Sequence, residues 1–188
     1  EGTGVTFSVT ATGTGISYQW RKGGINIAGA TASTYTIASP VIGDAGNYDV
    51  VISGTCTPAI TSNSVSLTVN TKPVITVQPT NQTTCEGSSV SFTITATGTG
   101  LTYQWRKNGV NISGATSSTY AIASPVLGDA GNYDVLIGGT CAPTVTSNLV
   151  TLTVNTLPAI TVQPISQTIC EGTGVTFSVT ATGTGISY

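Results

Sequence analysis

Residues 44–50 read DAGNYDV, and residues 129–135 repeat them letter for letter. Asp-Ala-Gly is a turn signal. Beyond it the apolar residues fall on every second position: Tyr48, Val50 and Ile52 in the first copy, Tyr133, Val135 and Ile137 in the second. That period of two is the mark of a strand with one buried face. The repetition reaches well past this heptad. Glu1, Glu86 and Glu171 open the equivalent segments EGTGVTFSVTATGTGISYQW, EGSSVSFTITATGTGLTYQW and EGTGVTFSVTATGTGISY, so the period is 86 − 1 = 171 − 86 = 85 residues. Residues 1–18 and 171–188 are identical. Repeats this close point to a tandem array built by duplication.

The natural boundaries lie at VNTKPVITVQP (69–79) and VNTLPAITVQP (154–164). Each follows a finished alternating strand, carries a proline that interrupts pairing, and starts a new strand. On this reading 71–155 is one complete domain, 1–70 is a domain without its first strand, and 156–188 is the opening part of a third. Thirty-three residues (188 − 155) are too few for a core of their own. The tail therefore packs on a neighbour, or belongs to a module whose remainder lies in another copy or beyond the chain. Two- or three-residue connections predict a stiff array.

In the complete domain, VITVQP (74–79) reads as the first strand, with a short continuation at 83–85. Val90, Phe92, Ile94 and Ala96 alternate with hydroxyl residues in the second. Residues 101–106 place Tyr103 and Trp105 on one face of the third, and Asn108-Gly109 signals a tight hairpin turn. Residues 119–122, the strand of Tyr133, and the strand of Val150, Leu152 and Val154 complete the set. About seven short strands with turn signals every 8–12 residues predict an all-β sandwich.

Of the 188 residues 39% are hydrophobic and only 6% charged, with net charge −2 and no histidine. Soluble domains typically carry about 25% charged residues, so Thr, Ser, Asn and Gly keep this surface wet. No basic patch exists to meet a nucleic acid, and no apolar run approaches the roughly 20 residues that span a bilayer. Without histidine, Ser-His-Asp and Cys-His catalysis are impossible, so no catalytic residue and no cofactor is assigned. Asp44 and Asp129 read as turn caps, Asp49 and Asp134 as solvated outward residues, and Arg21-Lys22 and Arg106-Lys107 as an exposed turn. No CxxC or DxD run supports zinc or calcium. Asn81 and Asn111 head glycosylation sequons.

The combination EGSSVSFTI, YQW, STYAI and GDAGNYDV resembles the intermediate-type immunoglobulin domain over the full 85-residue repeat. The resemblance implies tandem immunoglobulin-like sandwiches arranged head to tail, with Trp20 and Trp105 at the core centres and tyrosine corners at Tyr48 and Tyr133. The family's cross-sheet cysteines fall on Val9 and Val50, and on Ile94 and Val135, so aliphatic burial stands in for the bond. The wider set QPTNQTTCEG, YQWRKNG, DAGNYDV and GTC resembles tandem repeats of very large secreted Bacteroidota surface proteins, often adhesins exported by the type 9 secretion system.

That resemblance also places the four cysteines. Cys85 and Cys170 would lie in the turn before the second strand, at the bottom of the sandwich; Cys56 and Cys141 in the loop after the sixth, at the top. It implies bonds between successive modules: Cys141 with a cysteine preceding Glu1, and Cys85 with one beyond Tyr188. Pairing inside a module, pairing between filaments, and free thiols remain open alternatives. The function implied is an extracellular, cell-surface stalk whose partners are neighbouring identical modules or fibre subunits, with a glycan or host-surface ligand at a distant tip. The competing reading is a recognition module that binds a glycan or protein through its loops.

Overall fold

The computed structural model describes residues 4–188, and they form strands and two short 3-10 turns with no α-helix among them. Two compact units divide the chain. The first is Glu1–Lys72 together with 98–100 and 139–143; the second is the remainder, including residues 156–188.

The first unit contains β1 (Val5–Ser8), β2 (Ser17–Lys22), β3 (Ile25–Asn26), β4 (Thr34–Ile37), β5 (Gly46–Ser53), β6 (Ile60–Thr61) and β7 (Val65–Leu67). One sheet is the antiparallel pair β1–β4; the other runs β3-β2-β5, with β6 and β7 both on β5. In the second unit the strands are β8 (Val74–Val77), β9 (Gln82–Cys85), β10 (Val90–Thr93), β11 (Thr95–Thr97), β12 (Thr102–Lys107), β13 (Val110–Asn111), β14 (Thr119–Ile122), β15 (Gly131–Gly138), β16 (Val145–Thr146), β17 (Val150–Asn155), β18 (Ala159–Val162) and β19 (Thr180–Thr182). Here β10 pairs with β14, and β11 with β8. The facing sheet runs β13-β12-β15-β17-β9, with β16 on β15, and its last step is parallel.

The alternation seen in the sequence becomes burial. Trp105 and Val135 are directly opposed on β12 and β15, and both are fully buried, as is Ile137. Phe92 stacks on Tyr133 at 5.0 Å between ring centres, and Trp105 lies 6.0 Å from Phe92. Burying side chains of this size contributes roughly 1.5–3 kcal/mol each. The polar edges of the aromatics are satisfied: Trp105 Nε1 donates to the Ser117 carbonyl at 2.9 Å, and the Tyr133 hydroxyl to the Asp129 carbonyl at 2.7 Å. Trp20 and Tyr48 repeat both bonds in the first unit. Tyr133 is 1% exposed, and burial, helped by nearby Tyr120 and Asp129, pushes its pKa up to about 12. The β12–β13 turn places Asn108 and Gly109 at φ 49° and 80°. Both central residues of such a turn need positive φ, which selects Asn-Gly here and Gly23-Gly24 in the first unit.

Candidate functional site

In the second unit β9 and β17 meet in a parallel ladder, Gln82–Cys85 against Leu152–Asn155. Side chains extend it. Asn81 Oδ1 accepts from the Thr151 amide and Gln78 Oε1 from the Asn148 amide, both at 2.9 Å, and the Glu86 amide donates to the Asn155 carbonyl at 2.9 Å. These bonds join segments about seventy residues apart in the chain (152 − 82 = 70). The strand β9 is short because Pro79 and the Glu86-Gly87 turn bound it. Its partner is long because Val150, Leu152 and Val154 all enter the core.

A second feature was not legible in the charge pattern. Asp134 is buried and Asp49 half-buried, each held by an arginine, and the arginines lie on strands and not in the exposed turn. Arg106 on β12 stands opposite Asp134 on β15, and its Nε and a terminal nitrogen grip both carboxylate oxygens at 2.8 and 2.6 Å. Arg21 and Asp49 make the same fork at 2.7 and 3.0 Å. The hydrogen bond to the carboxylate raises the pKa of each arginine. Two opposite charges facing outward on paired strands, repeated one period apart, were the signal that could have revealed the pair. Lys22 and Lys107 donate to the Gly43 and Gly128 carbonyls, and each ammonium lies 5.9 Å from the ring centre of Tyr48 or Tyr133.

No two of the four cysteines are bonded to each other within the chain; Cys56, Cys85 and Cys170 are exposed and Cys141 half-buried. Cys85 ends β9 beside Asn155. The neighbouring β15 pairs with β17 at Tyr133↔Val150 and then runs the other way to Gly138, three residues before Cys141. Roughly ten residues of strand, ~33 Å, separate Cys85 from Gly138, whereas a disulfide needs Cα atoms within about 7 Å. The register therefore opposes a Cys85–Cys141 bond. Among the described residues no group of three or more His, Cys, Asp or Glu could hold a metal ion, and no helix is long and apolar enough to cross a membrane.

Two sheets facing across a Trp-Tyr-Phe centre, with β8 on one sheet and its continuation β9 paired in parallel with β17 on the other, decide the fold. It is a tandem of immunoglobulin-like sandwiches. Residues 72–137 match the immunoglobulin domain family. A three-immunoglobulin fragment of titin aligns over 98% of this chain and 71% of its own length, at 20% identity and TM-score 0.72. A highly immunogenic outer capsid protein of Enterobacteria phage T4 is 31% identical over 116 residues, 56% of this chain and 31% of that protein. A decoration protein of Escherichia phage T5 is 40% identical over 72 residues, 37% of this chain and 44% of that protein. The chain thus spans less than half the length of either phage relative.

Proposed function

We propose that the chain is a structural repeat segment of an extracellular bacterial surface fibre or adhesin stalk. Its modules would be 1–70, 71–155 and 156–188. The observation that carries the reading is the parallel β9–β17 ladder. A pull on the two ends of an immunoglobulin-like module acts along its first and last strands, so the ladder and its Asn81 and Gln78 reinforcements are loaded in shear, all bonds together. Near-identical repeats fit a shaft, which needs uniform units. The phage relatives are named as an outer capsid protein and a decoration protein, names that fit structural modules displayed on a surface.

Bracing between successive modules is part of the proposal. Cys85 and Cys170 would bond to the loop cysteine of a following module, and Cys56 and Cys141 to the turn cysteine of a preceding one, in an oxidising compartment. The separation of Cys85 from Gly138 along the strands supports bonds outside the module over bonds within it.

Single-molecule stretching of the chain in tandem tests the reading. Each complete module of about 85 residues should lengthen by about 300 Å in one abrupt event. Removing the side-chain reinforcements (Q78A with N81A) should lower the force at which it happens. Gradual opening at low force, with no effect of those substitutions, would refute the stalk. A specific ligand held by the loop tips would instead favour the recognition module.

A further inference from the structure

Among the described residues no strand covers the outer edge of β14; β10 is its one partner. The reason lies in the segment before it. Residues 112–118 cross from one sheet to the other without forming a strand. They are fastened to β12: the Trp105 amide donates to the Ala115 carbonyl and Trp105 Nε1 to the Ser117 carbonyl, both at 2.9 Å. The crossing therefore never runs beside β14. The Ile94 amide then donates to the Ser118 carbonyl at 3.0 Å, and backbone direction alternates from there along the antiparallel pair. Ser118, Tyr120 and Ile122 turn their amide and carbonyl groups toward β10. Thr119 and Ala121 turn theirs outward, where no backbone bond among the described residues takes them up. The first unit repeats the arrangement. There β4 pairs with β1 alone, the Val9 amide donates to the Ser33 carbonyl at 3.0 Å, and the backbone of Thr34 and Thr36 faces outward.

Open edges invite other strands, and folded proteins guard them with charge, proline or a bulge. Other edges of the second unit are guarded. β8 lies between Pro73 and Pro79 with Lys72 beside it, and its ladder with β11 is irregular. β9 runs into Glu86, and β13 has only two residues and follows Lys107 closely. β14 has no such guard. No charged residue occurs from Asn108 to Gly128, 21 residues (128 − 108 + 1), nor from Gly23 to Gly43 around β4. Thr119 and Ala121 expose their side chains while Tyr120 and Ile122 pack on the core. A depression of about 280 Å3, lined by Ser113, Ser117, Thr119 and Ala121 among others, leaves room beside the strand.

We infer that the outer edge of β14 pairs antiparallel with the same edge of a second copy, and that of β4 likewise, so that copies join side by side by continuing their sheets. A second copy is the occupant because the edge is its own complement. With Thr119 opposite the partner's Ala121, and Ala121 opposite the partner's Thr119, each pair exchanges two backbone bonds. The arrangement is two-fold symmetric, and no charge on either side opposes the approach. Thr34 and Thr36 stand in the same relation at β4, one period away. Four backbone bonds make a weak contact. Its recurrence in each 85-residue repeat multiplies it wherever two chains lie side by side. The contact joins neighbouring chains, not successive modules of one chain, so it goes beyond the stalk reading and holds or fails independently of it.

Sedimentation velocity and amide exchange of the 188-residue chain, fully reduced so that no disulfide contributes, test the pairing from micromolar to millimolar concentration. The mass should rise with concentration, and the Thr34, Thr36, Thr119 and Ala121 amides should slow by about tenfold as it does. The variant T34K/T36K/T119K/A121K sets lysine against lysine across every pair and should stay monomeric. Its net charge is of the same size as the parent's (−2 + 4 = +2), so general repulsion does not separate the two. The variant T34K/T36E/T119K/A121E sets lysine against glutamate across every pair and should associate again at low salt. All four side chains are exposed, so both variants should keep the parent's protection at Val50 and Val135. A monomer at every concentration overturns the proposal, including one whose edge accepts only a different protein. So do oligomers of the parent that leave the four edge amides unslowed, oligomers that persist in the all-lysine variant, and a folded lysine–glutamate variant that stays monomeric.

Discussion

Val65 and Val150 occupy the same position one repeat apart, yet truncating each to alanine should have unequal costs. Val150 is 4% exposed and sits in the second unit's core cluster. Its alanine variant removes two carbons, at about 0.8 kcal/mol per buried methylene, and leaves a cavity that the surrounding Tyr133, Leu152 and Phe92 fill only in part, for a total of about 2 kcal/mol. Val65 is 46% exposed and borders a solvent-open depression lined by Phe7, Val9 and Trp20. About half the transfer term applies there and no closed cavity forms, so the cost should be about 0.8 kcal/mol. Amide hydrogen exchange reads both numbers in one molecule. The Val50 and Val135 amides, bonded to Ser62 and Ser147 at 3.1 and 3.0 Å, report the opening of the first and second unit. V65A should raise exchange at Val50 by about fourfold, and V150A at Val135 by about thirtyfold, the Boltzmann factors for those costs. Equal effects would refute the claim that the strands carried by 74–85 are what seal the core.

Two further outcomes follow from the side-chain bonds. The Tyr133 hydroxyl has its folded pKa raised to about 12, above the ordinary value near 10, so its contribution is complete below pH 10 and is lost as pH rises through 12. Alkaline unfolding of the second unit should therefore steepen across that window, and Y133F should flatten it while weakening the fold at neutral pH by about 1 kcal/mol through the lost bond to Asp129. For Arg106 and Asp134, a double-mutant cycle to alanine should give a coupling of about 1 kcal/mol that shrinks little in high salt, because Asp134 is 8% exposed and the fork is bidentate. A coupling that vanishes in salt would place the pair among ordinary surface ions.

Much of the architecture was legible because two periodicities reinforce each other. The two-residue alternation around Tyr133 and Trp105 assigns inward faces, and the 85-residue repeat shows the same faces again at Tyr48 and Trp20. Neither the break between β10 and β11 at Ile94 nor the register shift of the β11–β8 ladder between Thr95 and Ala96 was legible, since nothing in SFTITATG marks an irregularity. Asp134 misled for a different reason. Alternation correctly puts it on the face away from Tyr133 and Val135, but says nothing about what crosses that face, and a long arginine on the next strand covers it.

The ladder between β9 and β17 also sets a timetable. Synthesis delivers Gln82–Cys85 about seventy residues before the Leu152–Asn155 segment that will hold them. Contacts that distant in sequence form slowly, and an unpaired edge meanwhile is open to the wrong partner. In an array of near copies the wrong partner is always at hand: the ribosome has already released a strand of nearly the same sequence from the previous module. Each module emerging from translation must therefore close on its own final residues before its neighbour's do so, and the small differences between VITVQPTNQTTC and AITVQPISQTIC are where an array of this kind can tell self from next.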